Sequence, residues 1–183
     1  MTFPSHLKPA ENLAEFFLYY MGLYTHIEQF LGYMLMMQTG MEYGYYNIVV
    51  GNQRTTDIIT KLEKLFKKQV REEEVIEQAK IAFRHLRDLT DLRDRMVHSG
   101  VTQLGDGKIQ VGLRLHLKSE ITGYSYDHFT LDELEAARVD LDRIFQFIGA
   151  YLLPMAISPE ELAARRAFWS VKPPPWAFAL PKT

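Results

Sequence analysis

The sequence predicts a mainly α fold: an antiparallel helical bundle interrupted by a small antiparallel β-sheet. Three observations carry this. Apolar residues recur at steps of three and four over most of the chain. Between about residues 101 and 128 the period changes to two. Capping residues and glycines bound both regimes.

The first helix is expected from about Ala10 to about Gln38. Leu13, Phe16, Tyr20, Leu23, Ile27, Phe30, Met34, Met37 and Met41 form a sustained seam, suited either to packing within the chain or to a dimer interface. The segment Phe16 to Met37 is apolar, but His26, Glu28 and Gln29 stand near its middle, so a buried helix is expected and not a membrane span. Glycines then break the helix, and Asn52 can cap a second one over about Gln53 to Val70. Ile58, Ile59, Leu62, Leu65, Phe66 and Val70 form its apolar face. Lys61, Lys64, Lys67 and Lys68 lie largely opposite, as an ordinary solvated face or as a phosphate-contacting one.

A third helix starts near Arg71, with acids in its first turn, and runs to about His98, before the terminating Gly100. "KIQVGLRLHLK" alternates next: Ile109, Val111, Leu113, Leu115 and Leu117 on one face, Gln110, Arg114 and His116 on the other. Gly105, Asp106 and Gly107 turn this strand back on "VTQL", and "GYSY" supplies a third strand. Thr130 and Glu133 form a capping box for a fourth helix, whose apolar face is Leu134, Leu141, Ile144, Phe145, Ile148 and Leu152. Ser158, Pro159 and Glu161 repeat the start signal for a short helix. The tail "VKPPPWAFALPKT" cannot be helical through its prolines; it is either disordered or an extended arm laid on its own or a partner's surface, and Trp169, Trp176 and Phe178 favour docking. The expected organisation is therefore residues 1–153 as one helical domain with a β-hairpin at about 101–128, then residues 154–183 as a short helix and proline-rich tail.

Composition narrows the function classes. With 47% hydrophobic and 24% charged residues the chain has an ordinary globular balance. A net charge of −2 gives no global basic field for nucleic acid, so any such contact needs a local patch. The absence of cysteine excludes disulfides, iron–sulfur clusters and thiol catalysis, and suits a reducing cytoplasm. The N-terminus shows no basic region followed by an apolar core, so no signal peptide is expected. No metal or other cofactor is expected: no histidine–carboxylate cluster stands at ligand spacing, and no glycine-rich phosphate loop occurs.

The stretch "DLRDRMVHSG", Asp91 to Gly100, is the most informative. On a helical wheel Ile76, Ala79, Phe83, Leu86, Leu89, Leu92, Met96 and Val97 form one stripe, and Arg93 falls near its centre. Lys80, Arg84, Arg87 and Arg95 fall on the solvated side, where Arg84–Asp88, Arg87–Asp91 and Asp91–Arg95 can pair four apart. An inward arginine needs acceptors, which could be a buried carboxylate, a partner chain across a two-fold axis, or an anionic ligand in a cleft. Asp94 and His98 are also four apart, so Asp94 could fix the imidazole tautomer. Histidine moves protons near neutral pH and arginine matches phosphate with a planar fork, which together suit chemistry on a phosphodiester.

This Arg93-Asp94-x-x-x-His98 pattern, closely followed by Gly100, resembles the motif of the HEPN superfamily (higher eukaryotes and prokaryotes nucleotide-binding). The resemblance covers about Ala10 to Leu153. It implies an all-α bundle that forms a homodimer, with the motifs of both subunits in one cleft cleaving RNA without a metal. It assigns proton transfer at the 2′-hydroxyl to His98 and contact with the phosphate to Arg93, with Asp94 beside them. It also implies a toxin–antitoxin, abortive-infection or other defence setting, with a cognate antitoxin or other protein partner. Lys61, Lys64 and Lys68 are then candidates for contact with the RNA backbone. The alternative within the resemblance is a catalytically inactive module that binds a nucleotide, an RNA or a protein.

Overall fold

The computed structural model describes residues 7–42, 44–46, 53–69, 73–118 and 121–152, together with 160, 163, 176 and 178. The fold is mainly helical with a small antiparallel sheet. Its elements in order are α1 (Leu13–Thr39), α2 (Thr55–Gln69), α3 (Glu73–His98), β1 (Val101–Gln103), β2 (Ile109–Lys118), β3 (Ile121–Phe129) and α4 (Leu131–Leu152).

Local chemistry sets the ends of these elements. Asn12 caps α1, its Oδ1 accepting the Glu15 N–H at 3.0 Å. The helix closes at Gly40 (φ +65°), where the N–H groups of Gly40 and Met41 return to the carbonyls of Met37 and Met36 at 3.3 and 3.2 Å. The capping box of α4 forms as expected: Thr130 Oγ1 accepts the Glu133 N–H at 3.2 Å, and Glu133 Oε2 accepts the Thr130 N–H at 2.7 Å. The expected Asn52 cap, the short helix signalled by Ser158, Pro159 and Glu161, and Trp169 lie outside the described residues.

The inward face of α1 departs from the expected seam. Phe16, Tyr20, Tyr24, Ile27, Leu31 and Met34 are buried, whereas Leu23 and Phe30 are half-buried and Met37 is 49% exposed. The expected seam assumed a repeat of 3.5 residues, which only a supercoiled helix keeps. A straighter helix of 3.6 residues per turn drifts off it, so Tyr24 and Leu31 replace Leu23 and Phe30.

The residues group into two compact units. One comprises residues 23–87 and 141–175. Here α2, α3 and α4 meet around Phe66, whose ring lies 6.2 Å from Phe83, 6.1 Å from Phe147 and 6.3 Å from Tyr151. Phe30 of α1 meets Phe145 of α4 edge-on at 4.9 Å. Such pairs add about 0.5–1.5 kcal/mol each beyond the area they bury.

The other unit comprises residues 1–22, 88–140 and 176–183 and contains the sheet. The strands are ordered β1-β2-β3, all antiparallel, with Val101 opposite Val111 and Ile109 opposite Phe129. The turn between β1 and β2 sits at the expected glycines: Gly107 (φ +81°) donates to the Leu104 carbonyl at 3.0 Å. The unbroken alternation expected over residues 109–117 is corrected by a bulge. The register slips between Val111 and Leu113, with Gly112 at φ +51° as the extra residue. The side chains of Leu113, Leu115 and Leu117 lie outside those described.

No helix among the described residues is long and apolar enough to cross a membrane.

Candidate functional site

The candidate site is the last turn of α3. Leu89, Leu92 and Met96 hold the helix to its core, all at most 2% exposed. His98 is exposed and Val97 is 42% exposed, so this turn presents its outer side to solvent. Gly100 (φ +84°) stops the helix. The Ser99 N–H donates to the Arg95 carbonyl at 2.9 Å, and the Gly112 N–H of β2 donates to the Gly100 carbonyl at 3.1 Å. The chain therefore passes from the helix into β1 with its exit tied to the neighbouring strand.

Arg95, not Arg93, is the more deeply buried of the two arginines. Arg95, expected on the solvated side, is buried and forms an ion pair through Nη1 with Asp127 of β3, which is buried with it. Its Nε also stands 3.2 Å from the exposed Asp91 carboxylate, so the expected Asp91–Arg95 pair exists, but it is made by a buried arginine. Arg93, expected inward, has a side chain 24% exposed that donates through Nη1 to Asp94 Oδ1 at 2.8 Å. The physical reason is the sheet. A wheel separates a buried from a solvated face only where one side of the helix is covered. At this end β2 and β3 cover the second side too: a Cβ placed on Gly112 would come within 2.7 Å of the Arg95 Cβ. Arg87, expected to pair with Asp91, instead reaches Glu63 of α2 at 2.9 Å.

Of the three motif residues, the structure brings Arg93 and Asp94 into contact. Asp94 does not serve His98 as expected: its carboxylate takes the Arg93 guanidinium, and among the described residues no hydrogen bond or ion pair reaches the His98 imidazole. The Asp94 side chain is 49% exposed. An ion pair this open is worth about 0–1 kcal/mol and exchanges readily for a stronger acceptor. A phosphate that accepts two guanidinium hydrogen bonds is such an acceptor. An apolar groove of about 590 Å³ lies beside this turn, lined by Asn12, Leu13, Ala14 and Phe17 of the α1 start, by Met96, and by Val101 and Gln103 of β1.

The candidate backbone contacts Lys61, Lys64 and Lys68 are exposed on α2. Lys61 donates to Gln53, and neighbouring Lys67 pairs with Glu63 at 3.0 Å. Among the described residues no group of three His, Asp or Glu side chains is placed to hold a metal ion.

Sequence reasoning missed three features. Asp127 gave no signal, because a lone acid in "GYSYDHF" reads as an outward strand residue. Gly112 did give one: an isolated glycine inside an alternating strand marks a bulge or a close backbone approach, and here it is both. The third is a set of buried charges on α4, Glu135, Arg138, Asp140 and Asp142, each at most 5% exposed.

No family model matches this chain, and no curated protein or solved structure is significantly similar to it. The fold and site thus define a class: a mainly α protein with a small antiparallel sheet, carrying an arginine, an aspartate and an exposed histidine on one helix end.

Proposed function

We propose that this protein is a HEPN-like, metal-independent endoribonuclease that acts as a homodimer, with Arg93, Asp94 and His98 of each copy facing a shared cleft. The observation that carries this reading is the last turn of α3. His98 is exposed there, and the guanidinium of Arg93 donates to the half-exposed carboxylate of the neighbouring Asp94. In the reaction His98 takes the proton of an RNA 2′-hydroxyl while O2′ attacks the adjacent phosphorus. The O2′–P bond forms and the P–O5′ bond breaks. The 5′-oxygen gains a proton from the second copy's histidine or from water. The products are a 2′,3′-cyclic phosphate and a 5′-hydroxyl. Arg93 neutralises the charge that grows on the phosphoryl oxygens, leaving Asp94 to do so.

Lys61, Lys64 and Lys68 supply sequence-independent backbone contacts in this reading, which makes binding weaken with salt. A cytoplasmic toxin–antitoxin or defence role, with an antitoxin or other protein as partner, follows from the resemblance alone.

The test is cleavage of varied RNAs in the presence of EDTA. Wild type produces 2′,3′-cyclic phosphate ends and His98→Ala does not, while both give the same thermal melt. A wild type that cleaves none of these RNAs defeats the proposal.

A second reading, an inactive HEPN-like module that binds nucleotide, RNA or protein, is favoured by one observation: Asp94 is engaged with Arg93, not with His98. It is distinguished by RNA binding without cleavage, followed by fluorescence anisotropy and weakened by Arg93→Ala.

A further inference from the structure

We propose that Arg95 and Asp127 are positioning residues for the His98 turn; this deepens the ribonuclease reading and rests on it for its catalytic consequence. His98 is bracketed in sequence by two attachments to the same pair of strands. On its N-terminal side, Arg95 reaches β3 through the buried ion pair with Asp127 and packs under the backbone of β2, where Gly112 leaves no room for a Cβ. On its C-terminal side, the Gly100 carbonyl accepts the N–H of that same Gly112 at 3.1 Å. The Arg95 carbonyl also accepts the Ser99 N–H at 2.9 Å, so Arg95 helps to close the helix as well as to anchor it.

The end turn of a helix usually frays, because its last carbonyls have no partners within the helix. A catalytic imidazole on such a turn needs an outside template, since small misplacements are costly to rate. The bulge at Gly112 and the Arg95–Asp127 pair supply one. Arg95 touches no substrate in this scheme. It acts through the backbone between residues 95 and 100, and Asp127 acts through Arg95.

The experiment compares wild type with Asp127→Asn, Asp127→Glu and Arg95→Lys. Three readouts are taken: amide hydrogen exchange, the NMR signals of the His98 ring, and kcat against KM for RNA cleavage well below the melting temperature. Asp127→Asn keeps the shape and removes the charge. It is expected to speed exchange at Ser99 and Gly112 by about tenfold more than at Leu62 and Phe83, whose exchange reports global unfolding. The His98 ring signals broaden or shift, and kcat falls more than KM changes. Asp127→Glu, which restores the charge, recovers part of each effect. Unchanged exchange at Ser99 and Gly112 with wild-type His98 signals overturns the proposal. So does equal acceleration at Leu62 and Phe83, because the pair would then be a general stabiliser. If Asp127→Asn does not fold, Arg95→Lys and Asp127→Glu carry the same readouts. If wild type cleaves no RNA, the ribonuclease reading fails, while exchange and the His98 signals still decide whether the pair positions the turn.

Discussion

The backbone N–H of Phe178 donates to the fully buried carboxylate of Asp140 at 2.8 Å, and the Phe178 ring lies 5.7 Å from that of Phe129 at the end of β3. A residue near the C-terminus is thus seated on the first half of α4. The same stretch of helix holds residues near the N-terminus. Glu135 accepts the Ala10 N–H at 3.2 Å, and Arg138 donates to the Lys8 carbonyl at 2.7 Å while pairing with Glu135 at 2.7 Å. These buried charges persist because each is hydrogen-bonded, and two of them bind backbone groups that would otherwise be buried without partners.

This seat predicts the energetic weight of the tail. Phe178 is 4% exposed, so Phe178→Ala removes a core-like ring and should cost about 3 kcal/mol. Urea unfolding at neutral pH measures it. A loss below about 0.5 kcal/mol, the range of ordinary surface changes, would mean that the docked ring contributes nothing to folding.

The capping box of α4 gives a second, smaller quantity. Thr130 Oγ1 accepts the Glu133 N–H at 3.2 Å, satisfying a donor that the first turn leaves open. Thr130→Ala should destabilise by about 1 kcal/mol, and Thr130→Ser, which keeps the oxygen, by much less. Equal losses in the two variants would place the effect in packing of the methyl group.

Glu63 predicts a pH dependence. Burial alone would raise its carboxyl, but hydrogen bonds from Arg87 at 2.9 Å and Lys67 at 3.0 Å, with their charges, outweigh burial and hold it below the usual carboxylate range. A carboxyl depressed in the folded state adds stability above its unfolded value, and this is lost as pH falls through the folded value. Wild type should therefore exceed Glu63→Gln in stability at neutral pH, and the gap should close between about pH 5 and pH 3. A gap that is constant with pH would show that the Glu63 charge is not its source.

Much of the fold was legible because it is written in local chemistry. Thr130 with Glu133, Gly100 after His98, and Gly107 in the hairpin turn each satisfy backbone groups within a few residues, so spacing alone reveals them. What failed depends on a third element. The wheel placed Arg95 in solvent because nothing in α3 records that Asp127, 32 residues later, returns to cover it. Likewise Glu135, Arg138 and Asp140 read as a polar face of α4, although that face is covered by residues near both chain ends. Of the candidate site, the position of His98 at a helix end was legible from Gly100, while the partner of Asp94 was not, since the four-residue spacing pointed to His98 and the contact is made with the adjacent Arg93.

The two arginines of "LRDRMVH" supply the sharpest contrast in stability. Removing Arg95 leaves Asp127 buried with its ion pair broken, a loss of about 3–5 kcal/mol, and Asp127→Ala should cost a similar amount. The Arg93–Asp94 pair is part-exposed, with the two side chains 24% and 49% exposed, so Arg93→Ala should cost less than Arg95→Ala. Thermal melts of Arg93→Ala, Arg95→Ala and His98→Ala would check the order: a large drop for Arg95 alone, and near-wild-type values for the exposed His98. The reverse order, with Arg93→Ala the damaging change, would return Arg93 to the core and remove it as a ligand for phosphate. Because Arg93 and His98 can then be changed without unfolding the chain, any loss of RNA cleavage or binding in those two variants reports on chemistry at the helix end and not on the fold that carries it.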